Sequence, residues 1–179
     1  MDSDWVVGPS LWGTFKKLGI PEENLNEAVN LYRERYNVKG YLENSVYLGI
    51  PGQLAMLLEM GYVLSLATSK PTVSASAILE YFDLTRFFSY EFGSNLDGSL
   101  SDKSILLKHA LAVTGFEPDN ALMIGDRQYD IIGAKSNLIK SVGVSYGYGS
   151  TNELREAGAD LLVEKPAELA KAVQKLLPM

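Results

Sequence analysis

Three short segments carry side chains suited to handling a charged oxyanion. In Leu66-Ala67-Thr68-Ser69-Lys70-Pro71 two hydroxyls precede a proline, and proline favours the first turn of a helix. Hydroxyls and backbone N–H groups at such a junction can receive an anion. They can equally cap the helix, and on this segment alone capping is the stronger reading. In Ser101-Asp102-Lys103 a lysine enters the first turn of a helix, where the dipole disfavours a cation by about 0.3–1 kcal/mol. A bound phosphate would turn that penalty into a use; the plain alternative, stronger on these residues alone, is an exposed lysine paired with Asp102. In Met123-Ile124-Gly125-Asp126-Arg127-Gln128-Tyr129-Asp130 an apolar run delivers Asp126 to a strand tip, and Asp130 follows as a helix begins. Gly125 permits a tight turn or a close backbone approach. Two carboxylates converging there suit Mg²⁺, which prefers oxygen ligands and keeps several waters. Equally, Asp126 could cap the helix and Asp130 steady its first turn.

These segments must be positioned by the elements around them. From Tyr62 onward, short apolar runs alternate with longer amphipathic ones. The expected strands are Tyr62–Ala67, Phe88–Phe92, Ala121–Ile124, Ser141–Ser145 and Leu161–Val163. The expected helices between and after them are Thr72–Tyr81, Lys103–Thr114, Asp130–Asn137, Asn152–Ala157 and Ala167–Leu177. Strands separated by helices imply parallel pairing through crossovers, hence an α/β fold with a sheet covered on both faces. Upstream, Leu11–Leu18 and Glu22–Tyr36 read as helices, and Pro51–Met60 as the helix leading into the first strand. The chain therefore divides into a helical cap over residues 1–46 and an α/β core over 47–179. A cap would sit over the carboxyl ends of the strands, where open α/β sheets bind ligands.

Composition narrows the chemistry. The 179 residues contain no cysteine and one histidine, His109; thiolate chemistry, disulfides and multi-histidine metal sites are excluded. His109 falls in an apolar helical run and reads as a surface or packing residue. The formal net charge of −6, with no Lys/Arg cluster, argues against nucleic acid or an anionic membrane as partner. No apolar stretch approaches the roughly 20 residues of a membrane span, and the acidic start MDSDWVV is unlike a signal peptide. A cytoplasmic location is expected. Gly147-Tyr148-Gly149 reads as a turn before the next helix, and Trp5 and Trp12 as packing residues.

The order hydroxyl, lysine, paired aspartates along one α/β series resembles the haloacid dehalogenase (HAD) superfamily, in its phosphoglycolate-phosphatase-like branch. The likeness extends to Val7-Gly8-Pro9, Tyr32-Arg33-Glu34-Arg35-Tyr36, Gly93-Ser94-Asn95-Leu96-Asp97-Gly98 and Gly125-Asp126-Arg127 with Tyr129-Asp130. It implies a Rossmann-like core, a Mg²⁺-dependent phosphate-monoester hydrolase, and a small phosphorylated metabolite as substrate. It further implies that Thr68, with Ser69, and Lys103 hold the phosphoryl group, Thr68 and Lys103 serving catalysis. Asp126 and Asp130 would be the metal-site acids, with Asp126 the direct or water-mediated ligand.

One family feature is missing. In the family a hydrophobic strand ends in Asp-x-Asp-Gly-Thr, whose first aspartate attacks phosphorus and whose second is the general acid/base. No such motif occurs in these 179 residues. Asp2-Ser3-Asp4 imitates the spacing, but Trp5 follows and no strand precedes it, so Asp2 and Asp4 read as cap residues. The resemblance therefore implies an inactive or impaired chain. The alternatives are a remnant that binds phosphate or Mg²⁺ without turnover, or a fragment of a longer reading frame. The absent strand would be the central one, between those ending at Thr68 and Ile124. Four arrangements are open: direct pairing of the two neighbours, strand edges left unpaired at about 1–3 kcal/mol for each buried group, Asp4–Val7 filling the place, or a homo-oligomer in which a partner chain completes the sheet.

Overall fold

The structure is a computed structural model that describes Val6 and residues 8–178. In chain order the elements are α1 (Leu11–Lys17), α2 (Leu25–Val38), α3 (Ile50–Glu59), β1 (Ser65–Pro71), α4 (Thr72–Tyr81), β2 (Tyr90–Ser94) and α5 (Lys103–Thr114). They continue with β3 (Leu122–Gly125), α6 (Gln128–Ser136), β4 (Lys140–Val144), α7 (Thr151–Ala157), β5 (Leu161–Val163) and α8 (Leu169–Leu176). The α/β expectation holds, and every strand pairing is parallel. The α4, α5 and β5 boundaries coincide with the sequence reading.

β1 begins later than expected, for a local reason. Gly61 has φ +91°, and Tyr62 donates its N–H back to Leu57 O of α3 at 3.1 Å. Tyr62 is thereby spent on the end of α3 and joins the ladder of neither neighbour. Helix starts are set by side-chain caps: Ser10 accepts from Gly13 N, Asp102 from Ser104 N and Ile105 N, and Ser150 from Glu153 N. Such caps occupy backbone donors that a helix leaves unpaired.

Apolar clusters lie on both faces of the β3–β4–β5 sheet. Val142, Val144 and Val163 pack with Leu169 and Ala172 of α8, while Met123 packs with Leu107 of α5 and Ala134 of α6. Leu57 of α3 joins Tyr62 and Val173. The segment before α3 touches the core through Arg33, whose Nη1 donates to Leu96 O at 2.7 Å, and through Trp12, which stacks under Arg33 and packs against Gly98.

The strands form two sheets, β1–β2 and β3–β4–β5. Direct pairing of β1 with β3 does not occur among the described residues. Their facing edges instead border one apolar cavity of about 430 Å³. The Asp4–Val7 arrangement lies outside the described residues except for Val6, which is exposed.

Candidate active site

The site grows from the carboxyl ends of β1 and β3. Register between β1 and β2 is regular to Ala67↔Phe92, then breaks before Pro71↔Ser94. Thr68, Ser69 and Lys70 occupy the break. Thr68 Oγ1 accepts from Lys70 N at 3.2 Å, and Ser94 Oγ donates to Ser69 O at 3.0 Å. The bend depends on Gly93, where a Cβ would stand 2.7 Å from Lys70 O.

Lys103 corrects the plain reading of its segment. It is buried at 8% exposure, not exposed, and its partner is not Asp102. Its Nζ donates to Ala67 O at 2.7 Å and pairs with Asp130 Oδ1 at 3.0 Å. Asp102 is occupied in capping α5. Burial of the lysine is made possible by Gly133 of α6, where a Cβ would lie 2.7 Å from Lys103 Cγ. A buried ammonium in the wrong end of the helix dipole needs such partners.

Asp130 is also buried, and its second oxygen accepts from Arg127 N at 3.1 Å. It therefore steadies the first turn of α6 while neutralising Lys103. Gly125 makes room: a Cβ there would be 2.2 Å from Asp130 Cβ. Asp126 does not cap α6. Its Oδ2 accepts from Tyr148 N at 2.8 Å. Gly147 and Gly149 close around it, and a Cβ would come within 2.3 Å of Asp126 Cβ and 2.0 Å of Asp126 O respectively. The turn expected at Gly147-Tyr148-Gly149 is present, and it also holds Asp126. Its position immediately after a parallel strand was the signal for that role.

Two further groups were passed over in the sequence. Lys70 follows Ser69 in the break of the β1 register. Desolvation there draws it below the ordinary lysine value, with the charge of Asp126 opposing and that of Lys103 adding. Arg127 is buried, and its Nε donates to Glu153 Oε1 at 2.9 Å, an oxygen that also accepts from Gln128 N. This ties the loop after β3 to α7. His109 lies on the exposed side of α5, edge-on to Phe92, consistent with packing.

A second cavity, about 380 Å³, opens between α1 and the core. Ser69, Lys103 and Tyr129 line its core side, and Thr14 and Lys17 its α1 side. Thr14 is 3% exposed, and its hydroxyl has no hydrogen-bond partner. The structure thus brings Ser69, Lys103 and Asp130 together beside Thr68, with Asp126 at the adjoining strand tip. As for a cation, both Asp130 oxygens are engaged, and no cluster of three acidic or histidine side chains occurs among the described residues. Asp126 remains as one carboxylate, and Mg²⁺ is commonly bound through one or two carboxylates with waters and substrate oxygens. The donor set fits that mode of Mg²⁺ binding and does not fit a closed protein cage.

Comparison with known proteins finds relatives of the chain. A protein named 5'-nucleotidase from Pseudomonas aeruginosa is 44% identical over 150 residues, covering 83% of this chain and 68% of that one. Tyrosine-protein kinase PtkA of Mycobacterium tuberculosis is 38% identical over 144 residues, 80% of this chain but only 49% of that protein. Phosphoglycolate phosphatases match at 26–31% identity. Among solved structures, that of a predicted phosphatase from Clostridium acetobutylicum superposes with a TM-score of 0.93 at 42% identity, covering 96% of this chain and 80% of that one. The chain spans 49–68% of the length of these curated relatives and 80% of that solved chain. The profile of the haloacid dehalogenase-like hydrolases matches residues 2–144, and the chain belongs to that family.

Proposed function

We propose that this chain is the greater part of a Mg²⁺-dependent phosphatase acting on a small phosphorylated metabolite in the cytoplasm. The observation that carries the reading is Lys103, a buried cation held by Ala67 O and Asp130 beside the hydroxyls of Thr68 and Ser69. In this reading Thr68 and Ser69 donate to phosphoryl oxygens, and Lys103 offsets the charge that gathers on them. Asp130 acts through Lys103, keeping its ammonium aimed at the strand end. Asp126 would hold Mg²⁺, which when bound neutralises phosphoryl oxygens and orients the ester. Residues 1–46 act as the cap, and residues 47–179 as the core. No helix among the described residues is long and apolar enough to cross a membrane.

The family's Asp-x-Asp-Gly-Thr motif does not occur in these 179 residues, and covalent catalysis cannot proceed without an attacking carboxylate. The expectation is therefore phosphate binding with negligible turnover. Isothermal titration with inorganic phosphate and Mg²⁺, beside p-nitrophenyl phosphate hydrolysis, tests it. Saturable binding lost in Lys103→Met, without hydrolysis, agrees. Hydrolysis abolished by Asp2→Asn or Asp4→Asn would place the nucleophile in the N-terminal segment and refute the reading.

A further inference from the structure

Arg127 follows the metal-site candidate Asp126 and is buried at 7% exposure. Its Nε donates to Glu153 Oε1 of α7 at 2.9 Å, and its guanidinium carbon lies 5.9 Å from the centre of the Tyr129 ring. Gly8 packs on the same side chain: a Cβ there would stand 3.0 Å from Arg127 Cγ and 3.2 Å from Nη1. Gly8 also has φ +118°, which glycine adopts without strain. The segment leading into α1 therefore rests on Arg127. Where the helical segment gives way to the core, Tyr47 packs edge-on to Tyr146, 5.3 Å between ring centres and two residues before Tyr148.

Glu153 grips backbone as well as side chain. The oxygen that accepts from Arg127 Nε also accepts from Gln128 N at 2.8 Å. Arg127 N is taken by Asp130 Oδ2 at 3.1 Å, and Arg127 O accepts from Asp130 N at 3.0 Å. The two peptide groups after Asp126 are thus fixed from both sides. The carboxylate of Asp126 accepts one hydrogen bond among the described residues, from Tyr148 N to Oδ2. Its direction is set by the loop behind it and by that single bond. We infer that Arg127, anchored by Glu153, is a positioning residue for Asp126. It holds the carboxylate in the orientation that receives Mg²⁺ and, through Gly8, ties that orientation to the segment entering the cap.

The inference rests on the reading of Asp126 as the acid that holds Mg²⁺. The simpler role for Arg127 is to fasten α7 to the sheet. A bridge serving only that end would leave Gln128 N to other partners, whereas Glu153 takes both donors on one oxygen. Arginine suits the task because its planar fork is pre-organised and stays charged. A buried guanidinium in turn keeps its place only with a partner such as Glu153. Groups that orient a metal's ligands without touching the metal typically change its affinity by about 10–100-fold. Neither Arg127 nor Glu153 is among the residues that line the polar cavity, so an effect of either on Mg²⁺ binding would pass through the loop.

The test uses the 179-residue chain, isothermal titration with Mg²⁺, and amide exchange at Tyr148 N relative to Val142 of β4. Arg127→Ala and Glu153→Ala should speed exchange at Tyr148 at least about tenfold and weaken Mg²⁺ binding about 10–100-fold. Glu153→Gln should stay close to the parent in both, since an amide oxygen can accept from Arg127 Nε and Gln128 N as the carboxylate does. Gly8→Ala should weaken Mg²⁺ binding by itself and add nothing on top of Arg127→Ala. Lower stability with exchange at Tyr148 unchanged, or with parental Mg²⁺ affinity retained, would make Arg127 a fastening for α7 only and overturn the inference. A loss in Glu153→Gln equal to that in Glu153→Ala would overturn it too. Equal Mg²⁺ losses from Gly8→Ala with and without Arg127→Ala would overturn the tie to the cap. Faster exchange at Tyr148 in the variants of a chain that binds no Mg²⁺ upholds the positioning and defeats the reading of Asp126 as the metal-site acid. Should Arg127→Ala fail to fold, Glu153→Ala against Glu153→Gln decides by the same readouts.

Discussion

Two of the molecule's concavities are similar in size and opposite in chemistry, and Lys103 stands between them. The cavity under α1, about 380 Å³, is lined by hydroxyls and charges. The slot-shaped cavity between the sheets, about 430 Å³, is lined mostly by apolar side chains, aromatic and aliphatic, including those of β1 and β3. Lys103 lines the first and, through Ala67 O, closes the end of the second. Size therefore does not separate them; the chemistry of their linings does. In the polar cavity Lys103 is held by Ala67 O and Asp130 and the Thr14 hydroxyl is unpartnered, whereas the slot is bordered by two strands that do not pair with each other.

The largest effect should come from Lys103→Met. Removing one partner of a buried ion pair typically costs about 3–5 kcal/mol, because the other charge stays behind. Denaturant unfolding should show that loss, and Lys103→Met with Asp130→Leu should recover much of it. If the single substitution costs no more than a surface change, the pair does not link the two concavities.

Core substitutions should sharpen the contrast. Leu106 is fully buried away from the slot, while Leu57 is 1% exposed and lines it. Leucine-to-alanine changes cost about 2–5 kcal/mol, less where neighbours can collapse. Leu106→Ala should fall near the top of that range and Leu57→Ala near the bottom, since side chains around Leu57 have space to move. Equal losses by thermal unfolding would mean that the slot walls are as rigid as the core.

How much of this was legible in the sequence follows from the range of the forces involved. Period and turn chemistry are local, and they placed α4, α5 and β5 correctly and implied the parallel strands. Thr68, Ser69 and Asp126 could be singled out as candidates because a strand tip is a local event. The partners of Lys103 were not: Ala67 and Asp130 lie far along the chain, and only Gly133, by letting α6 approach, decides that the lysine is buried. Gly147 and Gly149 look like any turn until β4 is set beside β3, which brings them onto Asp126. A gap between β1 and β3 was one of several arrangements the missing motif left open; the apolar side chains around it come from α3, α5 and α8.

Asp126→Asn should separate binding from folding. Asp126 receives one backbone N–H, from Tyr148, which an asparagine oxygen can also accept. Stability without Mg²⁺ should change by less than about 1 kcal/mol, while any Mg²⁺-induced rise in melting temperature should vanish. A Mg²⁺ response equal to that of the parent would remove Asp126 from the metal site.

The smallest expected change in stability is also the most informative about the polar cavity. The Thr14 hydroxyl is buried and unpartnered, a condition that folding does not favour. Replacing it by a methyl in Thr14→Val keeps the shape and removes the unmet group, so stability should stay level or rise by up to about 1–2 kcal/mol. If the hydroxyl instead faces bound ligand, phosphate affinity should fall in the same variant. A stability loss above about 1 kcal/mol would mean that Thr14 already has a partner in solution, and the α1 wall would then hold its polar group as the core wall holds Lys103.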